Sequence, residues 1–140
     1  MGTRFQKARF HILTGPESLF ERVRFKLRDC KVLQLHATHL KERAELRNIH
    51  LDSFARFDLN TWSLKTVEVR IDTGKFVNSA WEVVVNGHEW WVVIGLPNTI
   101  ENVFPAEHKK GLGSMIITQG PLYDFASRIN RELMDFEAGL

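Results

Sequence analysis

Asn86-Gly87 lies between two runs rich in β-branched and aromatic residues, Ala80 to Val85 and His88 to Ile94. A two-residue hairpin turn needs positive φ at both central positions, and Asn-Gly supplies it at little steric cost. The two runs are therefore expected to pair antiparallel. The same period of two appears upstream from Leu64, where Val67, Val69 and Ile71 alternate with Glu68, Arg70 and Asp72. Asp72-Thr73-Gly74 reads as the loop before the hairpin, and Leu96-Pro97-Asn98 as the turn after it, leading to a strand from Thr99 to Phe104. Few folds other than one built on an antiparallel meander accommodate this pattern.

The flanking segments carry a helical period or mixed signals. Arg4 to Leu13 reads as a half-exposed strand, because Phe10 and Ile12 alternate with Arg9 and His11. Thr14-Gly15-Pro16-Glu17 resembles a helix start, with a hydroxyl cap, a proline in the first turn and Glu three positions on. The helix should run from about Glu17 to Arg28, burying Leu19, Phe20, Val23 and Leu27. After a short apolar segment, Val32 to Leu35, Thr38 can cap a second helix from about His39 to Asn48. Asp52 or Ser53 can cap a further helical turn. Residues 105 to 114 are punctuated like an exposed loop, and Met115 to Thr118 can form a short strand. Gly120-Pro121 then opens a helix striped by Leu122, Phe125, Ala126, Ile129, Leu133 and Phe136. The expectation is an α+β fold: one domain over residues 1–140, with an antiparallel sheet of about four to six strands and N-terminal, central and C-terminal helices packed on it.

Composition removes several classes of function. The lone Cys30 cannot form an intramolecular disulfide, and the first residues lack the apolar run of a secretory signal, so a reducing, cytoplasmic setting is expected. No uninterrupted apolar stretch approaches the roughly 18 residues that span a bilayer, so no membrane partner is expected. The charge is uneven: residues 1–50 hold eleven Lys and Arg against five Asp and Glu, and residues 51–140 hold eight against twelve. Four of the six histidines, His11, His36, His39 and His50, fall in the basic part. An anionic partner would select such an asymmetry, although the two halves could equally neutralise each other across the fold.

Most catalytic signatures are missing. His36 and His39 stand three apart with no Cys pair, HExxH or matched carboxylate beside them, so no metal site and no cofactor is expected. Cys30 follows a helix instead of opening one, which denies it the dipole that activates a thiol. Lys109-Lys110-Gly111-Leu112-Gly113 lacks the spacing of a phosphate-binding loop, and Ser114 after it is a poor match to a nucleophile elbow. The polar second helix is different. His39, Arg43 and Arg47 stand at i, i+4 and i+8, on one slowly drifting stripe. Imidazole is the side chain that exchanges a proton near neutral pH, and guanidinium stabilises charge on a phosphate. His36 or His50 could supply a second proton-transfer group. The plainer alternative is an exposed helix whose Glu42 and Glu45 pair with its own arginines. Arg24 and Arg28 on the first helix are further candidate anion contacts.

The run from His39 to Ile49, followed by a short helical turn and a strand meander ending in Thr99-Ile100-Glu101-Asn102-Val103-Phe104, resembles a family of small bacterial domains. That family carries His-Ala-x-x-Arg-x-x-x-Arg-x-Ile on a helix before three or four antiparallel strands, and is similar to the BrnT and RelE-type toxins with a barnase-like ribonuclease fold. His39, Arg43, Arg47 and Ile49 match position by position, whereas Leu40 stands where Ala is usual and Asn48 where Gly is common. The resemblance covers roughly residues 35–104. It implies a toxin-like, RNA-directed protein, and, if an enzyme, a metal-independent endoribonuclease with His39 as the acid/base and Arg43 and Arg47 as phosphate clamps.

Trp90 and Trp91, as neighbours on one strand, must face opposite sides of the sheet. One of them leaves the main core face, where it could stack on a base, anchor a partner, or be covered by a helix. This keeps a second function open: a non-catalytic interaction module, such as an inhibitor or immunity-like protein of phage or plasmid origin, binding an antitoxin or target through the basic half or a tryptophan. A third, a small-ligand pocket lined by the tryptophans, has no polar constellation behind it.

Overall fold

Asn86 and Gly87 take φ values of 52° and 79°, the positive pair a tight hairpin demands. They join β3 (Phe76–Val85) to β4 (His88–Gly95), which pair antiparallel from Val85↔His88 to Ser79↔Ile94. In the computed structural model, which describes residues 10–35, 37, 39–70, 73–95, 98–107, 115–117, 121 and 123–128, this hairpin is the centre of a six-stranded sheet. The other strands are β1 (Phe10–Leu13), β2 (Ser63–Arg70), β5 (Thr99–Pro105) and β6 (Met115–Ile117), and the order is β5-β4-β3-β2-β1-β6. The α+β class and the antiparallel meander stand as the sequence predicts.

One pairing departs from the expectation. β6 lies parallel to β1, with Ile12 opposite Ile116. Parallel neighbours need a long crossover, and here the rest of the sheet lies between the two strands in the sequence. A three-residue strand has too little alternation to reveal its direction. The helix starts also differ. α1 spans Glu17–Lys26, ends two residues earlier than predicted, and begins at Pro16 with no side-chain cap, so Thr14 does not form the expected capping box. Glu17 turns instead to Arg24, 2.8 Å away. The predicted capped turn is a 3-10 segment, Leu51–Phe54, that begins at His50 without using Asp52 or Ser53 as a cap. Val32 and Gln34 make isolated bridges to Arg56 and Thr99. Arg4 to Arg9, His36, Thr38, Ile71-Asp72, the 108–114 loop and the predicted helical stripe from Ile129 onward lie outside the described residues.

Strand alternation divides the apolar residues between two faces. Val67, Val69, Trp81, Val83, Val92, Ile94 and Val103 join Leu19, Phe20 and Val23 of α1, Leu40 of α2 (Leu40–Leu46), Phe54, and Ala126 of α3 (123–128) in one core. The described helices therefore pack on one face, and Ala80, Trp91, Val93 and Phe104 form a smaller cluster on the other. Burying each large apolar side chain of α1 contributes about 1.5–3 kcal/mol, which outweighs any single cap.

α2 ends in a Schellman motif. The Ile49 N–H donates to Ala44 O at 2.8 Å and the Asn48 N–H to Glu45 O at 3.2 Å, with Asn48 at φ 55°. Asn suits this position because its short polar side chain tolerates the left-handed region. Asn48→Gly should change stability by only a few tenths of a kcal/mol. Asn48→Val should cost about 1–2 kcal/mol by urea denaturation, and equal midpoints for the two variants would contradict this reading.

β5 is an edge strand whose outer groups are occupied. Ile100 N–H donates to Gln34 O at 3.0 Å, Val103 N–H to Asn102 Oδ1 at 3.0 Å, and Val103 O accepts from Arg47 Nη1 at 3.3 Å. Edge groups satisfied in this way are poor templates for another strand. The register skips Glu101 between Asn102 and Ile100, marking a bulge. Although Glu101 is exposed as a residue, its carboxylate is tucked over Gly95, with Oε2 2.8 Å from where a Cβ on that glycine would stand. Burial raises the Glu101 pKa above its ordinary 4.5, opposed by a hydrogen bond with Asn78. The folded chain thus holds this proton more tightly than the unfolded chain. The resulting stability is full below 4.5 and is lost as pH rises through the raised pKa. Glu101→Gln should therefore gain thermal stability relative to wild type as pH increases from 4 to 7, and a constant difference across that range would contradict it.

Candidate functional site

α2 is held by two side chains, Leu40 and Ala44, at 2% and 5% exposure. At about 100° per residue, positions 39, 43 and 47 run one step before this buried line, along the flank of the helix. Glu42 and Leu46 point away from the core, Leu46 being 88% exposed. α2 packs against β5, and this is what brings the Arg47 guanidinium to the Val103 carbonyl. One of its five donors is used there, which fixes the side chain against the sheet while leaving the others available.

His39, Arg43 and Arg47 are all exposed. The His39 side chain is 71% exposed, and its Nδ1 lies within ion-pair distance of Glu42 Oε2, at 3.8 Å. Arg43 is exposed, and no carboxylate among the described residues is within ion-pair distance of it. The plainer alternative, in which Glu42 and Glu45 pair with the arginines of α2, is therefore not the arrangement found among these residues. A ridge of cations spaced four residues apart advances about 6 Å per step along the axis. Such a ridge can meet successive negative groups on an extended polyanion.

The other predicted contacts are placed differently. Arg24 lies 2.8 Å from Glu17 and 3.4 Å from Glu21, so its charge is already answered on α1. Arg28 covers the Phe25 ring at 3.7 Å, donates to Phe25 O, and lies 3.6 Å from Asp29. Trp90 is half-buried in the main core, edge-on to Phe54 at 5.4 Å. Trp91 faces the opposite side, as alternation requires, but is only 7% exposed, rests on Phe104, and donates its indole N–H to Glu82 Oε2 at 2.8 Å. A free tryptophan platform is thus absent from both sides of β4: packing has absorbed the rings that the sequence left available for stacking. His36 lies outside the described residues.

Two cavities open at the hairpin end of the sheet. The larger, an open cleft of about 700 Å³, is lined by Glu82, Glu89, Glu107 and Trp91 among others, and its acidic rim is unsuited to an anion. The smaller, about 120 Å³, is lined by the segment following α2, His50 included, and by the hairpin, including His88, which lines the larger cleft as well. His39, Arg43 and Arg47 line neither. His50 was expected beside the stripe; its partner His88 was not expected at all. The Asn86-Gly87 turn fixes His88 opposite Val85, but nothing in the sequence shows that the 3-10 segment returns to that hairpin end.

Burial raises the Cys30 thiol above its usual 9.0, only partly offset by a hydrogen bond to Val32 O, which leaves it a weak nucleophile at neutral pH. Among the described residues no group of three or more His, Cys, Asp or Glu could hold a metal ion, and no helix is long and apolar enough to cross a membrane. Comparison with protein-family models, with curated proteins and with solved structures gives no match in any of the three.

Proposed function

We propose that this chain is a small RNA-directed protein of toxin-like type that grips the RNA backbone with the flank of α2. The observation that carries the reading is that Arg43 is exposed and has no carboxylate partner among the described residues, between an exposed His39 and a sheet-anchored Arg47. The excess of basic residues in residues 1–50 favours a polyanionic partner. The resemblance of the helix to the BrnT and RelE-type pattern supplies RNA as the polyanion. The stripe lines neither of the two cavities at the hairpin end, so the reading keeps its anion-binding half and assigns no bond-breaking to it.

Backbone contacts of this kind position a nucleic acid without reading its sequence. The expected behaviour is salt-sensitive binding to single-stranded RNA with little sequence preference. Arg43→Glu should weaken it about tenfold, since a charged hydrogen bond contributes roughly 1.5–3 kcal/mol and reversal adds repulsion. Arg24→Ala should change it little, because Glu17 and Glu21 already hold that guanidinium. Fluorescence anisotropy with a labelled oligonucleotide measures both, and equal losses in the two variants would sink the assignment to α2.

The rival reading, a non-catalytic module that docks on a protein, loses the exposed tryptophan on which it partly relied. Its remaining support is the basic half itself, which RNA uses at least as well.

A further inference from the structure

β5 stops short of the hairpin tip. Its last residue, Pro105, lies opposite Trp90, so His88 and Glu89 of β4 have no described strand beside them on that side. Proline has no N–H to offer the ladder, and the chain leaves the sheet through Ala106 and Glu107. The open cleft of about 700 Å³ lies at this place, lined from β4 by residues 88–91 and from the end of β5 by residues 105–107.

The strand register also fixes the charges there. Glu82 pairs with Trp91 and Val84 with Glu89, so alternation sets these four side chains on one face of the hairpin. Glu82 and Glu89 are diagonal neighbours, with Cβ atoms about 7 Å apart. Like charges so placed repel, and no cation among the described residues lies within ion-pair distance of either. Glu82 is half-buried, and the Trp91 indole N–H holds its Oε2 at 2.8 Å. Val84, beside both carboxylates, is 61% exposed. Packing within the chain accounts for neither the exposed valine nor the unanswered pair of charges.

We infer that this cleft is a docking groove for an extended basic segment of a partner protein, laid beside the first residues of β4 where β5 leaves off. Recognition of this kind combines a strand-like backbone with side chains read at alternate positions. Residues two apart on an extended segment project to the same side about 7 Å from each other. That is the separation of Glu82 and Glu89, so arginines or lysines at alternate positions can meet both carboxylates. Their apolar stems can lie against Val84. Charge selects the partner: with Glu82, Glu89 and Glu107 in its lining, the groove attracts a cationic segment and repels an acidic one. No residue of α2 lines it, so this surface is independent of the RNA reading.

The test titrates the full chain into a labelled, end-capped peptide of alternating arginine and threonine, followed by fluorescence anisotropy. Saturable binding is expected, with none to the same peptide carrying glutamate for arginine, and no displacement by an equal concentration of free arginine. Glu89→Lys should weaken binding about tenfold and Glu89→Gln by less, whereas Glu45→Lys on α2, with the same change in net charge, should leave it within about twofold. Glu89 is exposed, and an unchanged melting temperature shows that its variants fold. Absence of saturable binding, or equal losses from Glu89→Lys and Glu45→Lys, overturns the groove. So does displacement by free arginine, which would mean a site for a lone cation. A wild-type dimer that Glu89→Lys disperses would place a second copy in the cleft, and overturns it as well.

Discussion

Trp81→Ala should destabilise the fold by about 4 kcal/mol, the largest loss expected from any single truncation in this chain. The indole is fully buried at the centre of the main core. Its N–H donates to Ser79 Oγ at 2.8 Å, and its ring meets Phe57 edge-on at 5.1 Å. Truncation therefore removes the ring, opens a cavity under β3, and strips a buried hydroxyl of its donor. Ser79 is itself 1% exposed, and its remaining contact is a 3.4 Å bond to Ile94 O. Domains of this size are stable by about 5–15 kcal/mol, so the loss is a large share of the total. Trp81→Phe keeps most of the apolar volume and loses the hydrogen bond, for which about 1–2 kcal/mol is expected. Urea unfolding of the three proteins measures the order. An alanine variant with a midpoint near wild type would mean that the core is not centred on β3.

The second large effect is on binding. If His39, Arg43 and Arg47 each contact one phosphate of single-stranded RNA and the two guanidiniums neutralise theirs, the logarithm of the binding constant should fall with the logarithm of salt at a slope of about −1.4, at roughly 0.7 per neutralised phosphate. Arg43→Glu removes one contact and sets an anion between the other two. The affinity loss should be about tenfold at low salt, and the slope should become shallower by at least about 0.7. Arg47 is the less informative position, because its guanidinium also satisfies the Val103 carbonyl on an edge strand. Replacing it mixes lost binding with a weakened sheet edge.

How far the sequence could be read depends on whether a signal was local. The hairpin was legible because Asn86-Gly87 sits between runs of strict alternation, and its strands differ from the predicted limits mainly at their outer ends. α1 was legible from the spacing of Leu19, Phe20 and Val23, but its start was not: Thr14 and Glu17 imitate a capping box while Glu17 pairs with Arg24. The direction of β6 was not legible, since three residues carry too little pattern and the pairing with β1 bridges most of the chain.

The candidate site shows the same division. The His39, Arg43, Arg47 spacing was readable, because the buried line of Leu40 and Ala44 on a seven-residue helix dictates which flank those residues occupy. That one of Trp90 and Trp91 would leave the main core was readable from alternation; that it is Trp91, and that Phe104 and Glu82 bury it, was not, because both approach from neighbouring strands. That His88 shares a recess with His50 escaped notice for a related reason. His50 reaches the hairpin only through the packing of Phe54 against Trp90.

The most direct test of the account is the salt dependence of single-stranded RNA binding by wild type and Arg43→Glu, measured side by side. The account predicts a steep fall in affinity with salt for wild type, and weaker, less salt-sensitive binding for the variant. Two superimposable curves, or a wild-type affinity indifferent to salt, would contradict it.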